Sequence, residues 1–204
     1  MVLDRVLQYN KFLDGLLSKL GVEKVILAGN SFGGFLAWNY AIDRPEKVEK
    51  LILIDAAGIK SDSHPLSFTL SMHPLTKKLS HIFTPKFMVT RSLERMYSDK
   101  SKIKEGKDDL YFDLLLRNGN RRAFSKVLDY NLNHPNRFSI IGKISAPTLI
   151  LWGKKDVIFP YQNAYEFQKK ILGSTVKVFE NAGHIPMEEI PSESLVEVEK
   201  FLIQ

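Results

Sequence analysis

Residues 25–38 read VILAGNSFGGFLAW, and this stretch restricts the chain more than any other. Residues 25–28 are wholly apolar, as a parallel strand covered on both faces requires. Apolar residues at helical spacing begin just past Gly34, so strand and helix must join over very few residues. Small residues at Gly29, Gly33 and Gly34 would let the two backbones pass closely. Ser31 is then held at the tip of a sharp turn with its hydroxyl exposed. A glycine-rich turn of this kind can also bind phosphate. The spacing here fits neither the P-loop nor the dinucleotide fingerprint, and no Lys-Ser/Thr pair follows the glycines.

The rest of the chain repeats this strand-to-helix rhythm. Residues 6–20 place Val6, Leu7, Phe12, Leu13, Leu16, Leu17 and Leu20 at helical spacing, and Gly21 follows as a stop. Residues 51–54 (LILI), 148–152 (TLILW) and 175–179 (TVKVF) read as further strands. Residues 35–42, 160–172 and 192–203 read as helices, the last with Ser192 as N-cap. Alternation of this kind implies a doubly wound, mostly parallel α/β sheet. Residues 59–142 break the rhythm and read as helical pieces at 74–83, 85–97, 107–118 and 121–132. The expected organisation is a core of residues 1–58 and 143–204 with a helical cap of residues 59–142 between its second and third strands.

Charge bears on the possible partners. The formal net charge is +6, and residues 60–137 hold 15 Lys+Arg against 8 Asp+Glu, so the whole surplus lies in the cap. Acidic residues are interspersed there, as on a solvated helical surface rather than a nucleic-acid-binding stripe. Weak contact of the cap with an anionic membrane surface is the remaining partner reading. No run approaches the roughly 18 apolar residues of a membrane span. The start does not read as a signal peptide, which favours the cytoplasm without fixing the compartment. With no cysteine, a thiol nucleophile and thiolate metal sites are excluded.

A serine hydroxyl needs a base, and the base needs an orienting group. WGKKDVIFP places Asp156 just past the third strand, and GHIPMEEIP places His184 just past the fourth. Both would lie at the C-terminal edge of a parallel sheet with Ser31, where open α/β sheets bind ligands. Asp55, at the end of the second strand, is the rival acid; otherwise it reads as a turn residue bonding local backbone. His64, His73, His81 and His134 read as surface or helix-end residues of the insertion, with no metal spacing. Glu188 and Glu189 read as a helix-start turn before Pro191.

Taken in order, GNSFGG, LILIDAAG, WGKKDVIFP and GHIPMEEIP resemble the motifs of the α/β-hydrolase superfamily with a helical cap. The resemblance covers nearly the whole chain. It implies Ser31 as nucleophile, His184 as general base and acid, Asp156 as its orienter, and the backbone N–H of Phe32 as one oxyanion donor. No cofactor or metal is implied. Serine rather than aspartate at the elbow points to acyl transfer, and the cap resembles that of lipase-like serine esterases. Its Phe68, Leu70, Met72, Phe83, Phe87, Met88 and Met96 would be packing residues, some of them lining an apolar acyl pocket. A small-molecule ester is the expected substrate. Asn30 resembles the GNSMGG elbow of C–C bond hydrolases of aromatic catabolism, which usually carry Trp where this chain has Ile185. A non-catalytic binding protein of the same fold is the third reading.

Members of the superfamily carry a much longer segment before the elbow than the 28 residues found here. That segment holds the first strands and a His-Gly type loop giving a second oxyanion N–H, and residues 1–21 contain no such loop. The expectation is a fragment or truncated form whose first strand is an exposed sheet edge.

Overall fold

The computed structural model describes residues 3–59, 82–133 and 137–203. Its elements in chain order are α1 (Leu3–Leu20), β1 (Val25–Asn30), α2 (Phe32–Asp43), β2 (Val48–Ile54), α3 (Lys86–Met96), α4 (Lys107–Leu116), α5 (Asn120–Asn133), β3 (Thr148–Gly153), α6 (Gln162–Lys170), β4 (Thr175–Phe179), α7 (Pro186–Glu189) and α8 (Pro191–Leu202). The four strands form one parallel sheet in the order β1-β2-β3-β4. Parallel pairing puts the C-terminal end of every strand on the same edge. Ser31, Asp55, Asp156 and His184 all follow strand ends there.

The two faces of the sheet are covered unequally. On one side, Leu51, Leu53, Ile150 and Trp152 pack with Phe35, Trp38 and Tyr40 of α2 and Phe167 of α6. On the other, Ile52, Leu149 and Leu151 meet Phe179, Ile190 and Phe201 in a smaller cluster. β3 is buried at all six positions, which explains its unbroken apolar sequence.

Two expectations change. Helix α8 begins at Pro191 with Ile190 as N-cap, so Ser192 is not the cap. Proline suits the first helical position because the N–H it lacks would have no intrahelical partner. The 3₁₀ segment Arg137–Lys143 packs with the core, since Phe138 and Ile141 are buried beside Trp152 and Phe167, although the sequence division put residues 137–142 in the cap. Helices α3, α4 and α5 stand where periodicity places them. The expected helix at 74–83 lies outside the described residues apart from 82 and 83, which are not helical. His64, His73, His81, His134, Phe68, Leu70 and Met72 also lie outside them. No described helix is long and apolar enough to cross a membrane.

Candidate active site

Ser31 occupies the turn between β1 and α2 with φ +53° and ψ −119°. A non-glycine residue in this region is strained and persists only where its surroundings hold it. Here its N–H donates to the Ile54 carbonyl at 3.0 Å. Its carbonyl accepts the N–H groups of Phe35 at 3.1 Å and Ala57 at 2.9 Å. The turn is also sterically exclusive. A Cβ on Gly29 would strike the carbonyl of Gly33, and one on Gly34 would come within 2.6 Å of the Ala56 Cβ. Gly33 differs from the expectation: a Cβ there meets nothing within 4 Å, so what Gly33 lends is a backbone for Gly29 to approach.

Asp156 and His184 meet directly. The Asp156 Oδ2 lies 2.8 Å from the His184 Nδ1, and both residues are buried. The other oxygen of Asp156 accepts the N–H groups of Ile158 at 2.6 Å and Phe159 at 3.1 Å, which fixes the carboxylate plane. The Phe159 ring meets the imidazole edge-to-face at 5.5 Å between centroids. With a carboxylate accepting at Nδ1, the proton belongs on that nitrogen, and Nε2 keeps a free lone pair.

Ser31 joins this pair through its neighbour. The Asn30 side chain donates to the Ile54 carbonyl at 3.2 Å and to the His184 carbonyl at 3.0 Å, tying the serine turn to the histidine loop. Phe32 is the first residue of α2, so its N–H lies at the positive end of the helix dipole, suited to a developing oxyanion.

Asp55 corrects the sequence reading. It is fully buried with φ +42°, and it accepts a hydrogen bond not from local backbone but from the N–H of Gly153 on β3, at 2.9 Å. The pairing of Ile54 with Leu151 places it there. Burial, followed by the neighbouring Asp156 charge, pushes its carboxyl well above the usual range. Ligand atoms of Asp55, Asp156 and His184 lie within 4.8 Å of one another, the only such metal-capable group among the described residues. Those donors do not fit a cation well: three N–H groups occupy the two oxygens of Asp156, and a metal at Nδ1 would displace the Asp156–His184 bond.

Sequence reading missed what holds the histidine loop. Gly153 and Gly183 are needed because a Cβ on Gly153 would meet the carbonyl of Gly183, and one on Gly183 would collide with backbone of Met96 and Ser98. The His184 N–H donates to the Met96 carbonyl at 2.7 Å, so the end of helix α3 rests on the loop. Ile185, next to the histidine, is buried with Leu93 of α3 and Tyr97 just past it. Glu189, in the turn expected before Pro191, is buried and accepts hydrogen bonds from both sides of this junction. The Gly-His dipeptide was the only local signal for any of it.

Known proteins agree with this architecture. Residues 4–191 match the family model described as serine aminopeptidase, S33. Lipase 1 of Psychrobacter immobilis is 30% identical over 196 residues, covering 89% of this chain and 57% of that protein. The 2-hydroxymuconate semialdehyde hydrolase of Pseudomonas sp. (strain CF600) is 28% identical over 194 residues, covering 87% of this chain and 63% of that one. The chain thus spans about three fifths of the length of such relatives. In structure it resembles the 2-hydroxy-6-oxo-6-phenylhexa-2,4-dienoate hydrolase of Rhodococcus sp. strain RHA1, with TM-score 0.80 and 15% identity over all of this chain and 73% of that one. With a matching family model over most of its length, a four-stranded parallel sheet and a serine turn at its C-terminal edge, the chain belongs to the S33 serine aminopeptidase-type family of α/β-hydrolases.

Proposed function

We propose that this chain carries the catalytic centre of a serine hydrolase that cleaves a carboxylic ester with an apolar acyl group. The observation behind this reading is the 2.8 Å Asp156–His184 bond beside a serine held on a strained, glycine-lined turn. Ser31 Oγ attacks the ester carbonyl while His184 Nε2 takes its proton. The tetrahedral oxyanion is met by the Phe32 N–H. Collapse expels the alcohol, which receives the proton from His184, and leaves Ser31 acylated. Water, deprotonated by the same nitrogen, then releases the acid and restores the serine. Asp156 keeps Nδ1 protonated and stabilises the imidazolium formed in each half-reaction. Serine at the elbow and likeness to a lipase support the ester.

A second reading, hydrolysis of a C–C bond in a vinylogous diketone, is favoured by Asn30, whose side chain pins the His184 carbonyl, and by likeness to 2-hydroxymuconate semialdehyde hydrolase. The two are separated by assaying p-nitrophenyl esters of increasing acyl length beside a 2-hydroxy-6-oxo-dienoate. Reaction with a fluorophosphonate tests the centre itself. Labelling is expected at Ser31, absent in Ser31→Ala and reduced about 10⁴-fold in His184→Ala. A folded chain that takes no label would overturn the hydrolase reading in favour of a binding protein.

A further inference from the structure

We propose that Glu189 is a positioning residue that clamps the cap segment 96–99 to the loop carrying His184, so that the cap sets the histidine's place. The residue is 4% exposed. One oxygen accepts the N–H of Gly183 at 2.6 Å and the N–H of Ser98 at 3.1 Å. The other accepts the Ser98 hydroxyl at 2.6 Å and the Asp99 N–H at 2.8 Å. One side chain thus gathers four donors, one from the residue before the histidine and three from the cap. His184 itself closes the ring by donating its N–H to Met96 at 2.7 Å. Nothing bulkier than Gly183 fits in this junction, because a Cβ there would come within 2.8 Å of the Ser98 nitrogen.

All four partners are uncharged donors, so the group must be an acceptor at every position. Burial opposes its charge, but the bonds from Ser98, Gly183 and Asp99 outweigh it and hold the carboxyl below the usual range. Glutamine would turn one terminal oxygen into a donor facing donors. The adjacent Glu188 is a built-in comparison. It accepts from Tyr97 at 3.0 Å and Tyr111 at 3.2 Å and pairs with Lys107 at 2.7 Å. Those partners all belong to the cap, so Glu188 anchors the cap while bonding nothing at Gly183 or His184.

This inference rests on the hydrolase reading, and two readouts keep the two apart. The far-downfield proton resonance of His184 Nδ1 reports the Asp156–His184 bond whether or not the chain turns over. Fluorophosphonate inactivation reports reactivity, separated into binding and rate. In folded Glu189→Gln the resonance should shift or broaden. The limiting inactivation rate should fall about 10²-fold with little change in the inhibitor's binding constant. Glu188→Gln should leave the resonance in place and act chiefly on binding. If Glu189→Gln does not fold, Ser98→Ala removes one bond of the four and should show the same pattern in smaller measure. An unmoved resonance in Glu189→Gln or Ser98→Ala, or equal effects of Glu188→Gln and Glu189→Gln on it, would overturn the proposal. A wild-type chain that shows the resonance but takes no label would overturn the hydrolase reading alone.

Discussion

At the scale of single residues, Asp55 is the group most at odds with its surroundings. Its Oδ1 is satisfied by Gly153, while its buried Oδ2 faces the Asp156 carboxylate, which accepts from it only when Asp55 is protonated. With its carboxyl held well above the ordinary range, the folded chain keeps a proton there that the unfolded chain releases. The stabilising contribution is therefore complete below the usual Asp value and is lost as pH rises towards the folded one. Asp55→Asn retains an acceptor for Gly153, tolerates the positive φ better than other residues, and has no proton to lose. The variant should melt about 2–4 °C above wild type at pH 8, equivalent to about 1 kcal/mol for a chain of this size. The advantage should vanish near pH 4. Equal melting temperatures at pH 8 would show that the carboxyl is relieved by some other contact.

At the scale of elements, α1 shows what a helical pattern does and does not reveal. Its apolar residues divide between two faces. Val6, Leu13 and Leu17 turn inward against α2 and the main core, whereas Phe12, Leu16 and Leu20 are exposed. Periodicity announces the helix, but choosing the docked face requires knowing where α2 lies. The polar residues decide it. Asp14 accepts from Lys47 at 2.7 Å, Tyr40 at 2.9 Å and Arg44 at 3.0 Å. Asn10 reaches Asp43 at 2.8 Å, and Arg137 pairs with the same carboxylate. The Lys47 bond chiefly holds the Asp14 carboxyl below the usual range, while burial and then Asp14 push the Tyr40 hydroxyl up to about 12. A depressed carboxyl stabilises the fold above the unfolded Asp value and loses that contribution as pH falls through the folded one. Asp14→Asn should therefore cost about 1 kcal/mol in urea unfolding at pH 7, screened in part by salt, and nothing at the acid end. A constant deficit at every pH would assign the effect to packing. The same contrast runs through the site. The buried strands, the serine turn and the order Ser31, Asp156, His184 are legible because each is carried by a local run or motif. The roles of Asn30, Asp55 and Glu189 are not, because each bonds a partner 90 or more residues away in sequence.

At the scale of the whole molecule, apolar surface is distributed unevenly, and this has a measurable consequence. β1 has a strand neighbour on one side only among the described residues. Its Ile26 is 45% exposed, on the same face of the strand as Ala28. On the same molecule, Phe12 of α1 is 67% exposed and Leu195 of α8 54%. A groove of about 270 Å³ lies between the sheet and α8, lined by Ile54, Leu151, Met187 and Val198. An edge strand with exposed backbone and apolar side chains is a template for pairing with another chain, and single-chain proteins usually blunt such edges with charge or cover. Nothing charged stands on β1, whose sequence is VILAGN. The 204-residue chain should therefore self-associate with rising concentration in sedimentation velocity and bind an apolar dye more strongly than a fully covered α/β protein. Ile26→Lys places a charge on the open face of the strand, remote in role from Ser31 and its partners. It should shift the distribution towards monomer and lower dye binding while leaving fluorophosphonate labelling at the wild-type rate. A chain that stays monomeric at every concentration would show that the β1 edge is protected by residues outside those described. Loss of labelling in Ile26→Lys would show that association through this edge is needed to hold the serine turn.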